Sequence, residues 1–176
     1  MRVTEVIKSC GLMAGVEFAS DEAAWRGTCA HATLHLLNKG TLDRDSVHAQ
    51  VMPFVLAYEK FMADTGFKPE IFEREVSSIP LNLVGHLDVE GRVNGSRWII
   101  DFKTGLSCRS VNRWVGYQLA LYDFLLGPPF PRRRFALKLL SDATYNLIPF
   151  DDPKDLTVAL SCVNVVNAQK ETKSCK

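Results

Sequence analysis

Asn94-Gly95 is the feature that most constrains what this chain can fold into. Both residues tolerate the positive φ of a type I′ turn, and the dipeptide is the strongest short-range signal for a β-hairpin. Alternating residues flank it from Leu83 to Gly105, in the stretch LVGHLDVEGRVNGSRWIIDFKTG. A two-residue loop without a bulge fixes the pairing. Val93 then faces Ser96, Gly91 faces Trp98, Val89 faces Ile100 and Leu87 faces Phe102, which makes one apolar face. The other face sets Asp88 against Asp101 and His86 against Lys103. A slip of one residue would scatter both faces, so the pattern supports its own register.

Residues opposed in such a pair lie about 4.5–5.5 Å apart. Two carboxylates at that separation repel unless a cation lies between them, and Mg²⁺ takes oxygen ligands at about 2.0–2.1 Å. Lys103 shares a strand face with Asp101, because side chains alternate along a strand. A divalent ion beside an ammonium suits phosphodiester hydrolysis: the ion activates water, and the lysine offsets charge developing on the phosphate. The plainer reading of Asp-x-Lys alone is a solvent-facing carboxylate and a strand-end salt bridge. The register, and the motifs below, outweigh it.

A chain of 176 residues is expected to form one domain with a proper core, here over 1–168 with a polar tail at 169–176. Its apolar fraction, 47%, is ordinary for a soluble globular protein. No apolar run approaches the roughly 18 residues of a membrane span. The opening MRVTEVIKSCG has no apolar h-region, so no signal peptide is expected. With a net charge of +1, attraction to nucleic acid must come from a local patch. The five cysteines are dispersed and form no CxxC pair, which suits reduced thiols in a cytoplasm and argues against zinc.

Around the hairpin, turn and cap signals divide the chain. Thr4 is expected to cap a short helix ending near Gly11. Ser20 or Asp21 opens a longer helix that carries Trp25 to His35, with Gly27 marking a break or a close approach. Gly40 suits an αL cap. A helix is expected from Asp45 or Ser46, with Val47, Val51, Phe54, Val55, Tyr58, Phe61 and Met62 as its core stripe and Pro53 as a kink or restart. Ile71–Val76 reads as a strand, and residues 104–109 as a loop over the site. A helix follows over 113–126. Arg132-Arg133-Arg134 reads as a solvated surface or, near a site that hydrolyses phosphodiesters, a phosphate contact. Residues 135–140 and 145–150 form a second hairpin around Asp142-Ala143, and a last helix runs from Lys154 to about Asn167.

Asp88 followed by Asp101-Phe102-Lys103 resembles the core of the PD-(D/E)XK nuclease superfamily, with Leu87 where the proline of that name stands. Arg26-Gly27-Thr28 and His31 are similar to the Arg-Gly-Thr-x-x-His segment of RecB-like nucleases and phage exonuclease-like proteins, whose histidine approaches the metal. As a bare i, i+4 pair, His31 and His35 are more often a surface or core feature. These families often carry glutamate where His35 stands. Glu73 and Glu75 share a strand face, so either could complete the metal shell. The Glu-x-x-Val-x-Ser pattern of the phage proteins matches Glu73, Val76 and Ser78 and favours Glu73. Gln118 and Tyr122 resemble the Gln-x-x-x-Tyr found downstream in RecB-like and lambda-type exonucleases. The late hairpin resembles that of the phage proteins, which often have glycine at the place of Ala143.

The resemblance implies an α/β (α+β) fold: a restriction-endonuclease-like core with a central mixed β-sheet flanked by helices. It implies a Mg²⁺- or Mn²⁺-dependent deoxyribonuclease, an exonuclease in phage or prophage DNA recombination, repair or processing. The metal ligands would be Asp88, Asp101, the Phe102 carbonyl, His31 and Glu73. Lys103 would act on water or the transition state, positioned by Gln118. DNA would meet Gln118, Tyr122, Arg26, Arg109 and Arg113. Some RecB-like relatives bind an iron–sulfur cluster through four cysteines, three near the C-terminus; only Cys162 and Cys175 stand there, so no iron–sulfur cluster is expected. The implied partner is DNA, with a homo-oligomer or a recombination partner protein as further candidates and no membrane. The implied location is the cytoplasm of a bacterial or phage-infected cell. The alternative is a non-catalytic nucleic-acid-binding or assembly protein that keeps the fold. The residues leave exonuclease and endonuclease open.

Overall fold

The computed structural model describes residues 1–13, 20–105, 111–128 and 132–174. The helices are α1 (Val3–Ser9), α2 (Asp21–Asn38), α3 (Met52–Thr65), α4 (Trp114–Leu126) and α5 (Lys154–Ser174). The strands are β1 (Lys68–Ser78), β2 (Leu83–Val93), β3 (Ser96–Gly105), β4 (Arg133–Leu140) and β5 (Tyr145–Pro149). They form one sheet in the order β1-β2-β3-β4-β5. Every pair is antiparallel except β3 with β4, which is parallel. The sheet is therefore mixed, and the crossover between its parallel strands carries α4. No helix among the described residues is long and apolar enough to cross a membrane.

Alternate residues of the central strands feed two cores. On one side Ile99 and Ala136 pack with Val6 and Ile7 of α1, Leu119 of α4 and Val163 of α5. On the other, Ile100 and Leu137 pack with Leu34 of α2 and with Phe54 and Phe61 of α3. Each fully buried side chain of this size stabilises the fold by about 1.5–3 kcal/mol. The resulting three layers fix α2 and α4 on opposite sides of β3, and that placement builds the site.

Local chemistry sets the element ends. Arg2 rather than Thr4 caps α1, and its backbone N–H donates to Glu5 Oε2 at 3.0 Å. The Ser20 hydroxyl accepts the Ala23 N–H at the start of α2. The helix expected from Asp45 is only a 3₁₀ turn over Arg44–Ser46. Helix α3 restarts at Met52 with Pro53 in its first turn, where the missing N–H has no cost. Gly66, at φ 69°, ends it. Ala143 holds φ 61° in the β4–β5 turn, a conformation that favours glycine. Helix α5 passes Asn167 and continues to Ser174, through most of the polar tail set apart at 169–176.

The arginine run does not form a phosphate-facing patch. Arg132 is buried, with its Nε 2.9 Å from Glu90 and its Nη1 2.9 Å from Asp123. Arg133 pairs with Asp151 at 3.3 Å, and Arg134 reaches Asp155 at 3.6 Å. Each cation meets a carboxylate that tertiary folding brings to it.

Candidate active site

The site forms where the β2–β3 hairpin opens. Pairing follows the expected register from Val93↔Ser96 to Val89↔Ile100 and stops there. Beyond that point Asp88 Oδ2 accepts the Phe102 backbone N–H at 2.6 Å. A side chain thus takes a donor that a regular ladder would have used. Asp88 and Asp101 are consequently not an opposed pair, and neither are His86 and Lys103. Leu87 is not matched with Phe102 in one core either. It packs with α1, α4 and α5, whereas Val89 and Phe102 pack with α2 and α3. Strand β2 therefore changes face around Asp88.

Strand β1 bends at the same level. Phe72↔Val89 and Arg74↔Leu87 are paired, so Glu73 falls opposite Asp88. Glu73 is at φ 49°, a conformation that costs a non-glycine residue on the order of 1–3 kcal/mol. The break separates the two glutamates that a regular strand would keep on one face. Glu73 lines a cleft of about 600 Å³ with Gly27, Thr28, His31 and His35 of α2. Glu75 instead lies 3.6 Å from His86 at a different pocket.

Helix α2 carries the cleft's other wall. It runs unbroken through Gly27, where an added Cβ would lie 3.5 Å from the Thr104 hydroxyl. His31 Nδ1 stands 3.4 Å from Asp88 Oδ1. Ligand atoms of His31, Glu73 and Asp88 all lie within 4.8 Å of one another. Arg26 pairs with Glu22 at 2.7 Å one turn before His31. On the α4 side, Lys103 Nζ is 2.5 Å from Asp101 Oδ2. Gln118 Nε2 donates to Asp101 Oδ1 at 3.0 Å and to the Tyr122 hydroxyl at 2.9 Å. Gln118 therefore reaches Lys103 through Asp101 and not directly. The Tyr122 ring occupies the space where a Cβ on Gly85 would sit, 2.4 Å away, so that glycine admits it.

One expected DNA contact sits elsewhere. Arg113 is held by Asp152 at 2.8 Å and Asp155 at 2.5 Å, at the α4–α5 contact. Arg109 lies outside the described residues. One residue was missed: Trp114 lies under the Lys103 ammonium, 5.4 Å from ring centre to Nζ. Its spacing, one turn before Gln118 on the same helix face, was the available signal.

The electrostatics follow from burial and charge. Burial opposes the charge on His31, but the Asp88 carboxylate outweighs it and raises the imidazole to about 9. Burial likewise opposes the Asp88 charge, while His31 and Lys103 hold the carboxyl below its usual range. Lys103 is raised, with Asp101 and Asp88 overcoming its desolvation. Glu73 is raised by burial and by Asp88. Asp101 is raised by burial and by Asp88, against the pull of Lys103. Three carboxylates thus crowd two cationic groups.

That donor set fits a divalent ion. Opposite ligands of an octahedral ion at about 2.1 Å lie about 4.2 Å apart. His31, Glu73 and Asp88 need only close slightly from their present spread. A residue's N–H and C=O point to the same side of a strand. Because the Phe102 N–H points at Asp88, its carbonyl faces the same gap.

No protein-family model matches this chain, and no curated protein matches its sequence. Its structure does match solved ones. A candidate exonuclease from Eubacterium rectale superposes with a TM-score of 0.58 at 12% identity, over 96% of this chain and 79% of its own. The two share a fold, a restriction-endonuclease-like mixed β-sheet flanked by helices. The alkaline exonuclease LHK-Exo from Laribacter hongkongensis aligns with a TM-score of 0.45 at 15% identity, over 98% of this chain and 88% of its own. In the restriction-endonuclease-like frame, the opened hairpin sits at the centre of the mixed sheet, between α2 and α4.

Proposed function

We propose that this protein is a divalent-metal-dependent deoxyribonuclease of the RecB-like, phage exonuclease type. The observation that carries the reading is the convergence of His31, Glu73 and Asp88 on one cleft, with Asp101 and Lys103 beside them. Asp88, His31 and Glu73 would hold Mg²⁺ or Mn²⁺, with Asp101 and the Phe102 carbonyl at its edge. Such an ion, when bound, activates water and neutralises phosphate oxygens.

The chain's own groups do the rest. Lys103 keeps its proton and offsets charge that builds on the phosphate. Asp101 holds Lys103, and Gln118 holds Asp101. Trp114 covers the ammonium and restricts its hydration. Gln118 and Tyr122 are buried, so we assign them to positioning and not to DNA contact. Arg26, beside the cleft wall at Gly27, is the arginine we place near a DNA phosphate. Arg113 serves the α4–α5 contact instead.

The motifs and the exonuclease neighbours favour attack from a DNA end, in phage or prophage DNA processing. End-labelled linear DNA and closed-circular DNA, incubated with Mg²⁺, Mn²⁺ or EDTA, test this reading. Metal-dependent loss of the linear form alone is the expected result. Cutting of the circle would replace exonuclease by endonuclease. DNA binding without cleavage in any metal would replace catalysis by a binding role.

A further inference from the structure

His35 is the point at which this chain departs from the nuclease pattern, and it stands on the cleft. It lies one helical turn after His31, on the same face of α2, and lines the same cavity as His31 and Glu73. Its ring is held edge-on to Phe72, at 5.5 Å and 75°. Its Nδ1 is buried and has no hydrogen-bond partner. A buried polar atom left in that state costs on the order of 1–3 kcal/mol unless something pairs with it. An ion in the cleft supplies the electron-pair acceptor that this nitrogen lacks.

We propose that His35 is a second imidazole donor to the cleft's ion, and that the site therefore prefers a nitrogen-seeking first-row cation, Co²⁺ or Zn²⁺, over Mg²⁺. This rests on the proposed metal site. Two histidines at i and i+4 of a helix present their rings to one ion, the spacing used by helical zinc sites. Here His31 groups with Glu73 and Asp88, and His35 lines the same cleft, so its ring would bring the set to two nitrogens and two carboxylates. Imidazole binds Zn²⁺ and its neighbours well, whereas Mg²⁺ favours oxygen. An all-oxygen partner at this position, glutamate, would leave Mg²⁺ competitive. His35 stands one turn beyond the group formed by His31, Glu73 and Asp88 and would join it by a side-chain rotation.

Titration of the full chain with MgCl₂ and CoCl₂ by calorimetry, with the visible absorption of bound Co²⁺ as a second readout, tests this. Wild-type protein, His35→Ala, His35→Glu and Asp88→Asn are compared. The expected result is Co²⁺ binding at least about tenfold tighter than Mg²⁺, weakened about 10–100-fold by His35→Ala with Mg²⁺ affinity unchanged. His35→Glu should shift the preference back toward Mg²⁺ and alter the Co²⁺ spectrum. A Co²⁺/Mg²⁺ ratio that is the same in wild type, His35→Ala and His35→Glu would overturn the proposal while leaving the metal site standing. Affinities that ignore Asp88→Asn as well would overturn the metal site itself.

Discussion

Asp88 and Glu90 are two residues apart on β2, and each anchors a group of charges, yet the two groups differ in burial and in how they are paired. Around Glu90 the group is closed. Arg132 and Glu90 side chains are 2% and 3% exposed, and the guanidinium sits between Glu90 and Asp123 while also donating to the Gly127 carbonyl at 2.9 Å. It ties the hairpin to the end of α4 and the start of β4. Around Asp88 the group is open. His31, Glu73 and Asp88 face a cleft, carboxylates outnumber cations, and the strands on both sides are distorted. Buried charge alone therefore marks no active site. Converging donors on an accessible cleft, beside a strained strand, are what set the proposed site apart.

The largest effect should come from breaking the closed group. Arg132→Met leaves the half-buried Asp123 without its cation and the buried Glu90 with only Arg97, at 3.4 Å, and should cost about 3–5 kcal/mol in chemical denaturation. Cleavage per folded molecule should be unchanged. A loss under about 1 kcal/mol would show that Arg132 is not a structural clamp.

The open group should answer to metal instead. Mn²⁺ at about 100 times its dissociation constant should stabilise the fold by about 2.7 kcal/mol. Asp88→Asn should remove that gain, and Glu75→Gln, which alters the glutamate facing His86, should keep it. Equal loss in both variants would erase the distinction that the Glu73 kink draws.

A smaller effect should appear with pH when metal is removed by EDTA. His31 is raised from 6.5 to about 9 in the fold. Its ion pair with Asp88 therefore contributes in full below about pH 6.5 and is lost as pH rises through about 9. The denaturation midpoint in EDTA should fall across that window, and His31→Gln should flatten the fall. A wild-type midpoint constant from pH 6.5 to 9 would contradict the pairing.

These contrasts were unevenly legible in the sequence. Asn94-Gly95 dictates its turn by local backbone preference, so the pairs from Val93↔Ser96 to Val89↔Ile100 could be read directly. The loss of pairing at Asp88 could not, because it depends on one carboxylate capturing the Phe102 N–H, and periodicity does not record that competition. Arg132 was misread for a related reason. Its partners, Glu90 and Asp123, arrive from other elements, and a run of arginines looks the same whether solvated or enclosed. Gln118 and Tyr122 were visible as a helical pair, but their link to Asp101 rather than Lys103 needed the packing of α4 on β3. The extension of α5 was readable: Gln169-Lys170-Glu171 are good helix formers and hold no breaker.

The most direct test of the account is the DNA cleavage rate of Lys103→Ala in Mn²⁺, measured beside its far-ultraviolet circular dichroism. Lys103 is the cation proposed to offset phosphate charge, and its removal should lower cleavage by about 10²–10³-fold or more while the helix and strand signal stays native. A folded Lys103→Ala protein that cleaves DNA at the wild-type rate would contradict the proposed chemistry.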